Sequence, residues 1–505
     1  MKINELIRIL FKPGLRLSHR IVTASAWTVI IRVSGRLLSF VRIIILARLL
    51  SPTAFGLVGV GLLGIDLITT LSVTGFKSAL VQKKGDIRDY LDTAWVTAIV
   101  RSLFLALILY FCALPIANFF GSPSARPIVQ VMASLIFING FTNTGIIYLR
   151  KELEVQKQFV YEMSQIVADL AVSIPAAFIL RNEWALVLGA VASNITGVAV
   201  SFIIHPYRPH FRFDLQKART LYNFGKWVTV SSWIDYINSR GDSIFIGRLI
   251  GVEGLGLYQM ARRIADIIST EIAFGISNVI FPAYSKLQNN IPRIRQGFLM
   301  SLETLGSVVL PLGVAISMLA PIFTPVIFGE QWLKAVPTMQ VMGIAASISC
   351  LSYVGRSLFY GIGRPELAFY MTLIQTAVTF ALFFPFYQLF DLPGGALAVL
   401  FGAISPYPLF IARSMKLLEI KPLPLLRTII APLAISLVVL AVSAISIRYI
   451  LIPNAIIHLI VITAILGVFT VGVTFLLWRR FTIGPLQVIS LLRRQPVIPT
   501  EQPVN

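Results

Sequence analysis

The stretch IRVSGRLLSFVRIIILARLLSP, residues 31–52, has the length and apolar content of a membrane-spanning helix, yet it carries Arg32, Arg36, Arg42 and Arg48. An arginine near the bilayer centre costs about 2.5–3.5 kcal/mol even on the lenient insertion scale, so these side chains must face something other than lipid. At helical spacing Arg32 and Arg36 share one face, and Arg42 lies within about a third of a turn of Arg36. Arg48 points elsewhere, close to the helix end, where a long side chain can reach the interface. Three arginines directed into one broad sector face water, a carboxylate or an anionic ligand. A guanidinium offers paired, planar donors that match a phosphate, so the chemistry indicated is anion binding, with phosphate foremost.

Other charges lie in apolar segments. Arg101, Arg240, Arg262 and Arg263 are deep, whereas Arg248, Lys77 and Arg356 sit near segment ends like Arg48. The acids there are Asp66, Asp169, Asp235, Asp242, Asp266, Glu271 and Glu303. Arg262 and Asp266 stand four residues apart and can neutralise each other on one helix face. Asp66, Asp169, Glu271, Glu303 and Arg101 have no opposite charge within four residues, the pattern of groups that line a polar path. Arg32, Arg36, Arg42, Arg101, Arg240, Arg262 and Arg263 are therefore the candidate anion-binding set. Asp66, Asp169, Asp266, Glu271 and Glu303 are the candidates for coupling to a proton or sodium gradient.

The elements that must position these groups follow from composition. The chain has 505 residues, of which 56% are hydrophobic and 13% charged, with a mean hydropathy of +0.82. No soluble domain hides that much apolar surface, so the expected class is an all-α polytopic membrane protein. Apolar runs between polar breaks give about fourteen spans: 24–50, 55–81, 91–117, 127–149, 159–180, 184–205, 226–250, 255–281, 298–323, 335–360, 366–390, 394–412, 428–447 and 456–477. The segments assigned to the cytoplasm hold 28 Lys and Arg against four outside (Arg126, Arg181, Lys334 and Arg448), so both termini are expected in the cytoplasm. The net charge of +21 is thereby explained by topology, and nucleic-acid binding loses its main support. Residues 1–11 carry an amphipathic pattern bounded by Pro13-Gly14; it reads equally as an interfacial helix or as a basic tail. No cleavable signal pattern follows.

The two cysteines, Cys112 and Cys350, lie in apolar runs, which excludes a disulfide scaffold. The four histidines, His19, His205, His210 and His458, fall at span ends or in loops. No metal site, resident cofactor or nucleophile constellation is expected, and the longest loop is too short to house an enzyme domain.

Residues 44–70 and 244–270 align without a gap. Ile44, Arg48, Leu49, Gly56, Leu57, Asp66, Ile68 and Thr70 recur 200 positions later, eight identities in 27, where composition alone gives about two. Both copies start with a span running outward, so the repeat is parallel. The expected architecture is two lobes of about six helices related by an axis along the membrane normal, plus two C-terminal helices. The boundaries are 1–20 for a cytoplasmic N-terminal segment, 21–205 for the first lobe, 206–225 for a basic linker and 226–420 for the second lobe. The two extra helices take 421–480, and 481–505 is a cytoplasmic tail. Such a body usually moves its substrate through a central cavity by rocking its halves.

The blocks ARLLSPTAFGLVG (47–59), FKSALVQKKGD (76–86), RKELEVQKQF (150–159), YNFGKWVTVSSWIDYINSRGDSIFIGRLIG (222–251), VIFPAYSKLQ (279–288) and IFGEQW (327–332) resemble the Wzx-type polysaccharide exporters. These are lipid-linked oligosaccharide flippases of the multidrug/oligosaccharidyl-lipid/polysaccharide exporter superfamily, and the likeness is to the branch that includes the colanic acid exporter. The resemblance implies paired helical bundles that alternate access in the bacterial inner membrane. It implies an undecaprenyl-pyrophosphate-linked repeat unit as cargo, moved to the periplasmic leaflet, a proton or sodium gradient, and work beside a polysaccharide polymerase and other assembly proteins. Family flippases use cavity cations; by position Arg32, Arg36, Arg101, Arg240 and Arg262 are the candidates for that role, and no short motif fixes which one touches cargo. The alternative is a cation-coupled multidrug antiporter of the same superfamily, for which an acidic cavity would be expected instead.

Overall fold

The computed structural model describes residues 17–72, 80, 87–152, 154–215, 232–233, 236–288, 290–449 and 454–481. The N-terminal amphipathic pattern, Lys77, Asp235, most of the linker and the C-terminal tail lie outside the described residues, as does the side chain of Glu271. Among the described residues every regular element is helical.

The helices are α1 (Leu17–Leu49), α2 (Pro52–Leu71), α3 (Arg88–Phe119), α4 (Ala125–Gly140), α5 (Val155–Leu180) and α6 (Trp184–Ile204). Then come α7 (236–249), α8 (Gly251–Asp266), a π-helical turn (Ile267–Ile272), α9 (Ala273–Leu287), α10 (Ile291–Ile327) and α11 (Val336–Gly361). The last are α12 (Pro365–Phe390), α13 (Leu392–Ile404), α14 (Tyr407–Leu418), α15 (Pro422–Tyr449) and α16 (Ala455–Phe481). Among the described residues, nine helical stretches are long and apolar enough to cross a bilayer. Of the other predicted spans, the first coincides with α1, which carries several arginines, and the fourth with α4, a shorter apolar helix.

Local signals set the boundaries. Ser51 caps α2 by accepting from the Ala54 amide at 3.3 Å, and Pro52 fills the first turn, where no N–H is needed. Arg181 and Glu419 end α5 and α14 in the left-handed region, at φ of 49° and 51°. Prolines 311, 321 and 325 sit inside α10, a pattern tolerated in spans, where neighbours re-satisfy the freed carbonyls.

The chain divides into two compact units. The first comprises residues 1–259 with 327–331; the second comprises 260–326 with 332–505. The division falls inside α8, beyond the predicted linker, because α7 and the first turns of α8 pack on α2. A Cβ on Gly56 would lie 1.7 Å from the Val252 carbonyl oxygen, and one on Gly256 would lie 2.0 Å from that of Pro52. Each glycine thus meets the carbonyl four residues before its own repeat counterpart. That reciprocity is what a two-fold relation between the two copies produces. Close backbone approach through small residues is the usual way membrane helices gain packing contact without a hydrophobic driving force.

The first unit's core joins Leu46 of α1, Leu50 just after it, Val60 of α2, Leu109 and Ala113 of α3, Ile128 and Met132 of α4, and Val187 of α6. In the second unit Gly313 lies against Gly343 and Ser347 of α11, and Gly306 against Pro432 of α15. Ile435 and Val439 of α15 with Ile462 and Leu466 of α16 form a separate cluster that also takes up Val314 and Leu319 of α10.

Candidate functional site

The C-terminal half of α2 gathers polar groups from two neighbours. Arg240 of α7 reaches Asp66, with Nε 3.2 Å from Oδ2. One turn away on α7, Tyr236 donates its hydroxyl to the Leu63 carbonyl at 3.0 Å; before α7, Trp233 donates Nε1 to Leu71 O at 3.3 Å. From α3, Arg101 donates to Thr69 O at 3.2 Å and to Ser72 Oγ at 2.8 Å. A cation on the last carbonyls of a helix is favoured by the macrodipole, so Arg101 serves the C-terminus of α2. The Asp66 and Arg240 side chains are 39% and 45% exposed. The pair is therefore open to an incoming group rather than sealed.

Along α1, one face packs on α5: Gly35 approaches Met163 and Ile166, and Trp27 meets Phe159 at 5.4 Å. Arg36 stands on the exposed side with Val33 and Leu37, while Arg32 is half-buried. Arg42 is directed differently. Its guanidinium lies 2.9 Å from Asp169 of α5, its Nε donates to Ser173 Oγ at 3.2 Å, and both charged side chains are 19% exposed. Gly189 of α6 covers this pair closely; a Cβ there would fall 2.3 Å from Asp169 Oδ1. Arg42 is thus committed to a carboxylate inside the first unit. Removing one member of a buried pair strands the other, so Arg42→Ala should destabilise the protein by up to about 3–5 kcal/mol. Arg42→Gln with Asp169→Asn should restore most of that loss, read as the thermal midpoint in detergent.

In the second unit Arg262 and Asp266 of α8 form the i, i+4 pair at 3.8 Å, and Arg263 is exposed beside them. Glu303 of α10 is buried at 5% exposure. The structure therefore brings together Asp66 with Arg240, Asp169 with Arg42, and Asp266 with Arg262. Among the described residues, no group of three or more His, Cys, Asp or Glu gathers as a metal site would require.

Two features escaped the sequence reading. At the C-terminal end of α1, the segment after α10 is tied down within the first unit. Arg48 donates Nε to Ile327 O at 3.0 Å; Gln331 donates to Leu50 O at 3.0 Å and also to Ala47 O. Phe40 and Phe328 meet edge to face at 6.4 Å. The IFGEQW block is thus a clamp on the last carbonyls of α1. Arg248, the repeat counterpart of Arg48, lies over the Phe119 ring at 5.5 Å instead.

At the other end, residues 205–214 are strapped to the start of α3. Asp92 accepts from the Tyr207 hydroxyl and from the His210 amide at 2.8 Å. Asn143 donates to Tyr207 O at 2.7 Å, and the Tyr207 amide donates to His205 Nδ1 at 3.1 Å. His205 lies just past α6, outside the spanning helix, and stacks on Tyr148. Burial, then the Lys157 charge, lowers its pKa below the ordinary histidine value, with Glu154 and Glu152 opposing. A lowered histidine pKa means the folded state holds the neutral ring, so this contribution is complete above about pH 6.5 and is lost as pH falls through the folded value. Hydrogen exchange of 205–214, corrected for intrinsic rates, should therefore rise between about pH 7.5 and 5. In His205→Asn that rise should vanish; an unchanged profile would exclude the ring as its source.

A family model described as "Polysaccharide biosynthesis protein" matches residues 45–337. The lipopolysaccharide biosynthesis protein WzxC of Escherichia coli (strain K12) is 24% identical over 392 residues, 76% of this chain and 78% of that protein. The succinoglycan biosynthesis transport protein ExoT of Rhizobium meliloti (strain 1021) is 24% identical over 355 residues, 70% of this chain and 72% of its own. Among solved structures, the lipid II flippase MurJ in an inward closed conformation aligns with a TM-score of 0.68 at 14% identity, over 90% of this chain and 99% of that one. At that identity the likeness is one of fold. The matched region contains α2 to α10 entire, with both halves of the repeat, Asp66, Arg240 and the clamp segment, and by it the chain belongs to the polysaccharide biosynthesis protein family.

Proposed function

We propose that this chain is a flippase that carries an undecaprenyl-pyrophosphate-linked oligosaccharide repeat unit from the cytoplasmic to the periplasmic leaflet of the bacterial inner membrane. The observation that carries this reading is the half-exposed Arg240 held against Asp66 beside α2, deep in a helical membrane body. A solvated guanidinium at that depth is a receptor for an anion, and a lipid pyrophosphate with about two negative charges matches paired arginine donors. Arg36, on the exposed face of α1, is the second contact. Arg32 and Arg262 are further members of the set, and Arg101 keeps the end of α2 in place. The sugar travels in the polar interior while the polyprenyl tail stays in lipid.

The fuller architecture belongs to the same proposal: about fourteen spans, two lobes of about six helices, two added C-terminal helices and cytoplasmic termini. So does the absence of enzymatic chemistry, and energy drawn from a proton or sodium gradient. The relatives' names, lipopolysaccharide biosynthesis and succinoglycan transport, support the cargo class. A drug antiporter would need an acidic receptor for organic cations, and here Asp66 is already matched by Arg240.

The test is flipping of a labelled lipid-linked oligosaccharide in reconstituted vesicles. Wild type should expose the label to an external sugar-modifying enzyme, and Arg36→Ala should lower the rate at least tenfold, about 1.4 kcal/mol of lost recognition. Equal rates would remove Arg36 from the pathway; no flipping by wild type with several such lipids would end the reading.

A further inference from the structure

Among the candidate coupling acids whose side chains are described, three are already matched by arginine: Asp66 at 3.2 Å, Asp169 at 2.9 Å and Asp266 at 3.8 Å. Glu303 is different. It is 5% exposed, lies about a third of the way along α10, and has no hydrogen bond or ion pair among the described residues. One turn further on the same face, Ser307 is 1% exposed and its Oγ also lacks a partner. Between them Gly306 is covered by Pro432 of α15 and Leu351 of α11, so two neighbouring helices close over this stretch. We propose that Glu303 is the proton-binding carboxylate through which the chain draws on its ion gradient, with Ser307 as its hydrogen-bond partner. The proposal rests on the flippase reading for its meaning in transport, though not for the existence of the site.

The physical reason is charge. A carboxylate anion withdrawn from water without a counter-charge is costly, and binding one proton removes that charge while creating a donor for Ser307 Oγ. A metal cation would need a shell of several oxygens. On α15, one turn either side of Pro432, the Thr428 and Ser436 hydroxyls donate to carbonyls of their own helix, Leu425 O at 2.7 Å and Pro432 O at 2.8 Å. On α15 the two charged groups, Arg427 and Arg448, are exposed; the titratable groups of the other neighbouring helices are engaged elsewhere or carry no charge. On α11, Arg356 donates to Gln375 at 3.0 Å and lies over Tyr353, and Cys350 is a buried thiol. On α14, the Tyr407 hydroxyl donates to Ile348 O at 2.6 Å. On α9, Tyr284 is bonded to Ser301 at 3.3 Å. Of the other charges on α10, Arg295 pairs with Glu419 at 3.7 Å and Arg293 is exposed near the start of the helix. The acid buried in α7, Asp242, is by contrast held by Tyr258 at 2.8 Å and by the Ser243 amide.

Two measurements decide it. In vesicles free of sodium, an imposed pH gradient should accelerate flipping of the labelled lipid-linked oligosaccharide by wild type. The ratio of rates with and without the gradient should fall to about one in Glu303→Gln and stay raised in Glu303→Asp. Infrared difference spectra of the purified protein on a pH jump should show a carboxylic-acid carbonyl band that Glu303→Gln lacks. A gradient response kept in Glu303→Gln, or identical infrared spectra for the two proteins, overturns the site. If wild type flips no cargo, the flippase reading fails on its own, and the infrared comparison still decides whether Glu303 takes a proton.

Discussion

Gly56→Leu is expected to leave almost no stably folded protein. Its Cβ would lie 1.7 Å from the Val252 carbonyl oxygen and 2.6 Å from the carbonyl carbon. These are backbone atoms of a packed helix start, which cannot swing aside as a side-chain end can. Overpacking against movable side chains costs about 1–3 kcal/mol; against backbone the upper end or beyond is expected. Gly256→Leu should behave alike, since its Cβ would meet Pro52 O at 2.0 Å. The double variant should be far less than the sum of the two, because one separation of α2 from α8 relieves both clashes. Gly467→Leu is the control: nothing lies within 4 Å of a Cβ there. Size-exclusion profiles and thermal midpoints in detergent check this. A Gly56→Leu protein melting with wild type would mean that the α2–α8 contact is not formed as described.

That contact also shows how far sequence alone reached. The identities at an offset of 200 single out Gly56 and Gly256, and hydropathy finds the helices that carry them. Neither says that the two glycines touch each other, because a repeat reports similarity and not adjacency. Asp66 and Arg240 lie on different helices far apart in the chain, so no spacing rule links them; only the packing of α7 on α2 does. The four arginines of residues 31–52 look alike by composition, yet three described fates separate them. Arg42 is taken by Asp169, Arg48 clamps Ile327, and Arg36 stays on the exposed face. The i, i+4 pair of Arg262 with Asp266 was legible because helix geometry is local. Arg101 was legible as a buried charge but not as the cap of another helix, since its partners are the Thr69 carbonyl and Ser72 hydroxyl. The IFGEQW block stood out as a motif, but its use depends on the carbonyls of α1, which leave no mark in side-chain sequence.

Arg240→Ala should separate structure from transport. A pair as open as Asp66 and Arg240 adds only about 0–1 kcal/mol to stability, because water competes for both charges. The thermal midpoint should therefore move by only a degree or two, about the shift that a few tenths of a kcal/mol gives. Flipping should nonetheless fall at least tenfold, the loss expected when a charge-assisted phosphate contact of about 1.5–3 kcal/mol is removed. Asp66→Asn probes the other half. With the carboxylate neutralised, Arg240 loses its internal anion and is more available to the cargo, so binding of a short-chain lipid pyrophosphate should tighten by about threefold to tenfold. Turnover should not rise with it, because a ligand held more firmly leaves more slowly. Exchanging the two charges, Asp66→Arg with Arg240→Asp, should keep the pair and the melting temperature while leaving flipping low, because the guanidinium then projects from α2 rather than α7. Flipping that survives Arg240→Ala, or that falls only in step with the melting temperature, would reduce the pair to a packing contact and move the anion receptor to Arg36 and Arg32.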